Sequence, residues 1–126
     1  MRLVDYDDLG NNDLCVTRQY QVRGTKTIRA DLTLLVNGIP IVLIEAKSPT
    51  SSNDWRTAVK HLARYQEEAP QLLASNLLNV AADGLKFRYG ATNAPEEHWA
   101  EWKDSWPRKL PPNACEMQVG VAGLLA

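Results

Sequence analysis

Asp31, Glu45 and Lys47 are the residues of this chain whose types and spacing could do chemistry. Glu45 and Lys47 stand two positions apart at the end of an otherwise apolar run, IPIVLIEAK. In an extended strand, residues two apart share a face. An acid and an amine at the end of such a strand are costly to bury unless they are paired or bound to a metal. Two carboxylates suit hard divalent cations, which prefer oxygen ligands, and a lysine beside them can neutralise charge that develops nearby. The plain alternative is a surface salt bridge of Lys47 with Glu45 or Asp31.

These three residues need elements that bring them together. The stretch from Asp31 to Lys47, DLTLLVNGIPIVLIEAK, holds two apolar runs separated by Asn37-Gly38. Asn-Gly readily takes the positive φ angles of a tight hairpin turn, so the runs are expected to pair as antiparallel strands. The hairpin folds Asp31 back towards the end of the second strand. Along that strand Ile41, Leu43, Glu45 and Lys47 should share one face, with Val42, Ile44 and Ala46 on the other.

So placed, Asp31 and Glu45-Ala46-Lys47 resemble the D…ExK of the PD-(D/E)xK nuclease core. In that chemistry a metal lowers the pKa of a bound water and stabilises the charge that builds on a phosphate. A wider resemblance rests on RADLTLLVNGIPIVLIEAKSP, on VTRQYQV upstream and on AVKHLARYQEEAPQLLASNLLNVAADGLKFRYGAT downstream. These are similar to the N-terminal nuclease domain of the restriction subunit of type I restriction-modification enzymes, over roughly Asn12 to Lys103. The resemblance implies an α/β restriction-endonuclease-like core, a central mixed sheet flanked by helices. It implies Mg2+, with Mn2+ as a substitute, and cleavage of double-stranded DNA. Asp31 and Glu45 would be metal ligands together with the backbone carbonyl of Ala46, and Lys47 would assist the attacking water. In the family this core precedes an ATP-driven helicase or translocase domain and works with methylation and specificity subunits. Two other readings keep the α/β fold without catalysis: a DNA-binding or complex-assembly module, and an interaction domain using the C-terminal apolar tail.

The whole chain sets bounds. Its 126 residues suffice for one domain but not for a nuclease plus a motor. With a net charge of −1 and a pI near 6.1, DNA contact must come from a local basic patch. Cys15 and Cys115 make no metal-type pattern and read as reduced thiols. No run approaches the ~20 apolar residues of a membrane span, and a cytoplasmic protein is expected. There is no GxxxxGK[ST] and hence no ATP site of that type.

In chain order, Met1 to Asn12 is an acidic lead-in. Members of the resembled family usually carry there a helix that adds an acid to the site. Asp5, Asp7 or Asp8 could stand in for it, although acidic surface residues are the simpler reading. DLCVTRQYQV alternates as a strand, with Leu14, Val16, Arg18, Tyr20 and Val22 on one side. Arg18, Arg23, Lys26 and Arg29 gather around the turn that follows, as a phosphate contact or as a solvated loop. Ser48 to Asn53 ends the hairpin and offers N-caps. From Asp54 a helix is expected, with Ala58, Val59, Leu62 and Tyr65 inward and Arg56, Lys60 and Arg64 as a basic stripe for DNA or for solvent. The resembled nucleases often carry QxxxY here. HLARY supplies Tyr65 as the tyrosine but His61 in place of glutamine, so both are supporting candidates, His61 with a half-buried structural role as its alternative.

NLLNVAA and LKFRY read as a second hairpin about Asp83-Gly84, joined to the first through a helical crossover. EEHWAEWKDSW is expected to be a short helix with Trp99 and Trp102 on one face, capping the core. The domain is placed at residues 1–106, with a linker and apolar tail over 107–126. That tail is either a last helix on the body or a joining segment. If exposed, Val119, Val121, Leu124 and Leu125 would form a patch prone to self-association.

Overall fold

Asn37 and Gly38 adopt φ of 52° and 79°, the left-handed pair that a two-residue hairpin turn requires. In the computed structural model, which describes residues 2–48 and 54–125, this turn joins β2 (Thr27–Val36) to β3 (Ile39–Ala46). With β1 (Leu14–Arg23) they form an antiparallel meander. Helix α1 (Trp55–Glu68) and a short α2 (Pro70–Leu73) then cross to β4 (Leu78–Ala82), which runs parallel to β3. Strands β5 (Phe87–Gly90) and β6 (Ala100–Glu101) complete a mixed six-stranded sheet in the order β1-β2-β3-β4-β5-β6. The fold is α/β, as the sequence led us to expect.

Two apolar layers hold the sheet. On one face, Leu43 and Ala81 pack with Ala58, Val59, Leu62 and Tyr65 of α1, so the helix buries the stripe its sequence spacing marks. The basic stripe Arg56, Lys60 and Arg64 faces outward and is exposed. On the other face, Val42, Ile44, Val80 and Phe87 are covered by α3 (Glu116–Leu124) through Met117 and Leu124. Glu116, in the first turn of α3, fixes that helix: it accepts the Phe87 N–H at 2.9 Å and pairs with Lys86 at 3.4 Å and with Arg88. The apolar tail is thus a helix on the body, and of its large aliphatic residues only Val121 is among the exposed hydrophobics.

Three expectations need correction. Asp54 is not the first residue of α1 but its N-cap, accepting the Arg56 N–H at 3.0 Å, while Pro49 to Asn53 fall outside the described residues. The stretch 96–106 is not a helix: a 3-10 turn at Glu96–His98 leads into β6. In this largely extended segment Trp99 and Trp102 diverge, Trp99 packing on the α1 side and Trp102 on the α3 side. Gly90 makes room for Trp99, since a Cβ there would lie 2.7 Å from the indole ring. Nor does the alternation of β1 run unbroken. Tyr20 and Val22 pack on the α1 side, whereas Val16 lines an apolar cavity with Leu32 and Leu34 on the α3 side.

Candidate active site at the end of β3

The residues singled out on β2 and β3 do come together, and α1 closes over them. Glu45 is 2% exposed although it is charged. Its Oε1 lies 2.7 Å from Lys47 Nζ and 3.0 Å from His61 Nδ1. Its Oε2 accepts the Tyr65 hydroxyl at 3.2 Å. His61 and Tyr65 are one helical turn apart on α1, the spacing that places two side chains on one face, so the helix grips both oxygens of a single carboxylate. The pair Glu45–Lys47 is therefore a salt bridge, but a buried one, with the Lys47 side chain 14% exposed.

Asp31 enters from β2. The β2–β3 ladder shifts register once, between Leu34 and Leu35, and then runs in step to Leu32–Ile44. One step further Asp31 replaces a backbone acceptor with its own carboxylate, Oδ2 accepting the Ala46 N–H at 3.0 Å. Lys47 N–H, pointing the other way, donates to Ala82 O of β4 at 2.8 Å. The end of β3 is thus tied on both sides. Successive residues bond alternately to left and right, which is why Ala46 faces Asp31 while Lys47 faces β4.

Tyr65 is the group whose ionisation the site perturbs most clearly. Burial, followed by the negative charges of Glu45 and Asp31, pushes its hydroxyl up to about 12. At neutral pH it is a fixed donor, shared between Glu45 and the Arg29 carbonyl at 3.1 Å.

Of the basic stripe, Arg56 pairs with Asp54 and Glu96 at 3.2 Å each and Arg64 with Glu68 at 3.6 Å. Lys60 makes no ion pair among the described residues. The lead-in is ordered but lies at the wrong end of the sheet to serve the site. Asp5 accepts the N–H groups of Asp7 and Asp8 and the Asn11 amide, and Asn37 in the β2–β3 turn donates to Leu3 O at 2.7 Å. The turn is about 20 Å along β3 from Glu45 at ~3.3 Å per residue. Asp5, Asp7 and Asp8 therefore do not supply a further acid to the Glu45 cluster.

One contributor went unseen in the sequence. Asp83 reads there as half of an Asp-Gly turn, yet it is 5% exposed and accepts the Trp55 N–H at 3.3 Å and the Lys86 N–H at 2.8 Å. It thereby ties the start of α1 to the end of β4, beside the site. The only local signal was the habit of aspartate to bond main-chain N–H groups just downstream in a turn.

Comparison with known proteins places the chain in a family. The family model described as "Type I restriction enzyme R protein N terminus" matches residues 1–98. The chain is 31% identical over 106 residues to the type I restriction enzyme HindI endonuclease subunit of Haemophilus influenzae, covering 82% of this chain and 10% of that protein. It is 31% identical over 99 residues to the EcoprrI endonuclease subunit of Escherichia coli, covering 75% of this chain and 31% of that protein. It is 30% identical over 103 residues to a type I restriction enzyme endonuclease subunit of Staphylococcus aureus, covering 79% of this chain and 11% of that protein. The chain thus spans only a minor part of these relatives. With a site built on the hairpin and helix that lie inside the matched region, the chain belongs to the type I restriction enzyme R-protein N-terminal family.

Proposed function

We propose that this domain is a PD-(D/E)xK endonuclease core that hydrolyses DNA phosphodiester bonds with Mg2+, or Mn2+ in its place, as part of a type I restriction subunit. The observation that carries the reading is the meeting of Asp31 with the Glu45–Lys47 pair at the end of β3. The donor set fits the metal. Mg2+ is commonly held by one or two carboxylates, with water and substrate phosphate completing its shell. Asp31 and Glu45 supply the carboxylates. Because the N–H and C=O of one strand residue lie on the same side, the Ala46 carbonyl would lie towards Asp31 and add a third oxygen. The bound cation would supply an activated water and stabilise charge on the phosphate.

The chain's own residues have distinct tasks in this reading. His61 and Tyr65 hold Glu45 from opposite oxygens, so that the carboxylate is oriented before any ligand arrives. Lys47 is the counter-charge of Glu45 in the free protein. Once a cation shares that carboxylate, the ammonium can turn to the attacking water or to a phosphate oxygen. Arg56, Lys60 and Arg64 lie on the exposed face of the same helix, where they can meet the DNA backbone. Substrate delivery would fall to a translocase domain and to methylation and specificity subunits, in keeping with the longer relatives.

Calorimetric titration of Mn2+ into wild type and Glu45→Gln, with plasmid nicking by both, tests the reading. Binding and nicking that depend on Glu45 support it. Mn2+ binding unaffected by the substitution would sink it. A second reading, a non-catalytic DNA-binding or assembly module, is favoured by one observation: both Glu45 oxygens are already engaged within the protein, Oε1 by Lys47 and His61 and Oε2 by Tyr65. Under that reading nicking is absent at every Mn2+ concentration while DNA binding remains.

A further inference from the structure

Gln19 sits in the middle of β1 with φ of 56°, in the left-handed region that a residue with a Cβ enters only at a cost. Strands β1 and β2 pair from Leu14–Val36 to Arg23–Thr27, and the one pair missing from that ladder is Gln19 with Asp31. The side chains change faces across the same point. Ile28 and Ala30 pack on the α1 side of the sheet, whereas Leu32 and Leu34 pack on the α3 side. In a regular strand these four even-numbered residues would share a face. β2 therefore turns about its own axis between Ala30 and Leu32, and Asp31 is the pivot. A pivot residue points neither up nor down. Its carboxylate lies towards the neighbouring strand, where Oδ2 meets the Ala46 N–H at 3.0 Å.

We propose that Gln19 is a positioning residue for Asp31: its left-handed backbone breaks the β1 ladder, lets β2 turn at Asp31, and so aims that carboxylate at the end of β3. The requirement falls on the backbone of Gln19, whose side chain is exposed. Strained backbone of this kind persists where the surroundings enforce it, and here what it sets is the direction of a site carboxylate. The functional consequence rests on the reading of Asp31 as a metal ligand. The geometric claim does not.

The test uses two substitutions that separate backbone from amide. Gln19→Val removes the amide and disfavours the left-handed conformation, while Gln19→Gly removes the amide and accepts it freely. The first readout is hydrogen exchange of the Ala46 amide by NMR, which needs no metal. The second is Mn2+ affinity. Gln19→Val is expected to expose the Ala46 amide, with at least ten-fold faster exchange, and to weaken Mn2+ binding by ten-fold or more. Gln19→Gly is expected to retain Ala46 protection. Should the valine variant fail to fold, Gln19→Thr, also β-branched but better suited to an exposed strand, takes its place. Protection of Ala46 that survives the β-branched substitution, or is lost equally in the glycine variant, overturns the proposal. If wild type itself binds no Mn2+, the metal reading fails, while the exchange data still decide the role of Gln19.

Discussion

Glu45 and Tyr65 show how much a single residue carries here. Glu45 is buried with Lys47, so Glu45→Ala leaves an ammonium that is only 14% exposed facing a cavity. Removing one partner of a buried pair typically costs about 3–5 kcal/mol. We expect Glu45→Ala to lower the urea midpoint accordingly, and Lys47→Met in the same background to restore part of the loss. A midpoint unchanged in the single variant would mean that Lys47 reaches solvent freely. Tyr65 gives a pH signature. Its folded pKa of about 12 exceeds the ordinary value near 10, so the neutral hydroxyl is favoured by folding. That contribution is complete below about pH 10 and disappears as pH rises towards 12. The span corresponds to roughly 2–3 kcal/mol. Thermal melts from pH 8 to 12 should show this alkaline loss in wild type and a shallower one in Tyr65→Phe.

At the level of elements, α3 and the tryptophan segment depend on close approach. A Cβ at Gly120 would collide with the Phe87 ring, and one at Gly123 with the Trp102 indole and the Asp104 carbonyl. Helix propensity alone favours alanine over glycine by about 1 kcal/mol. Overpacking a filled contact costs about 1–3 kcal/mol, so the collision outweighs the gain. Gly120→Ala should therefore lower the denaturant midpoint, and an increase would show that α3 is free to shift on the sheet.

For the whole molecule, the balance of charge decides how DNA can be met. A net charge of −1 gives no general attraction, and two of the three stripe cations already have carboxylate partners. If the α1 face contacts the backbone, Lys60→Gln should weaken DNA binding and reduce the slope of log K against log salt by about 0.9, one phosphate's worth. An unchanged slope would remove Lys60 from the interface. The corresponding changes at Arg56 and Arg64 should be smaller, because their ion pairs must first be given up.

What the sequence determined by itself was local. The Asn37-Gly38 turn, the apolar alternation of β3 and the inward stripe of α1 each follow from spacing within one element. The first two bring Asp31, Glu45 and Lys47 to one end of the hairpin, while the family resemblance marks His61 and Tyr65 as supporting candidates. Tertiary structure decided the rest, because those outcomes depend on groups distant in sequence. Trp99 and Trp102 separate to opposite faces since one needs the gap above Gly90 and the other the flank of α3. The acidic lead-in is held to the far end of the sheet by Asn37, which its own spacing could not foretell. The pivot at Asp31 is set by Gln19, twelve positions earlier, through a break in the β1–β2 pairing that no local pattern encodes.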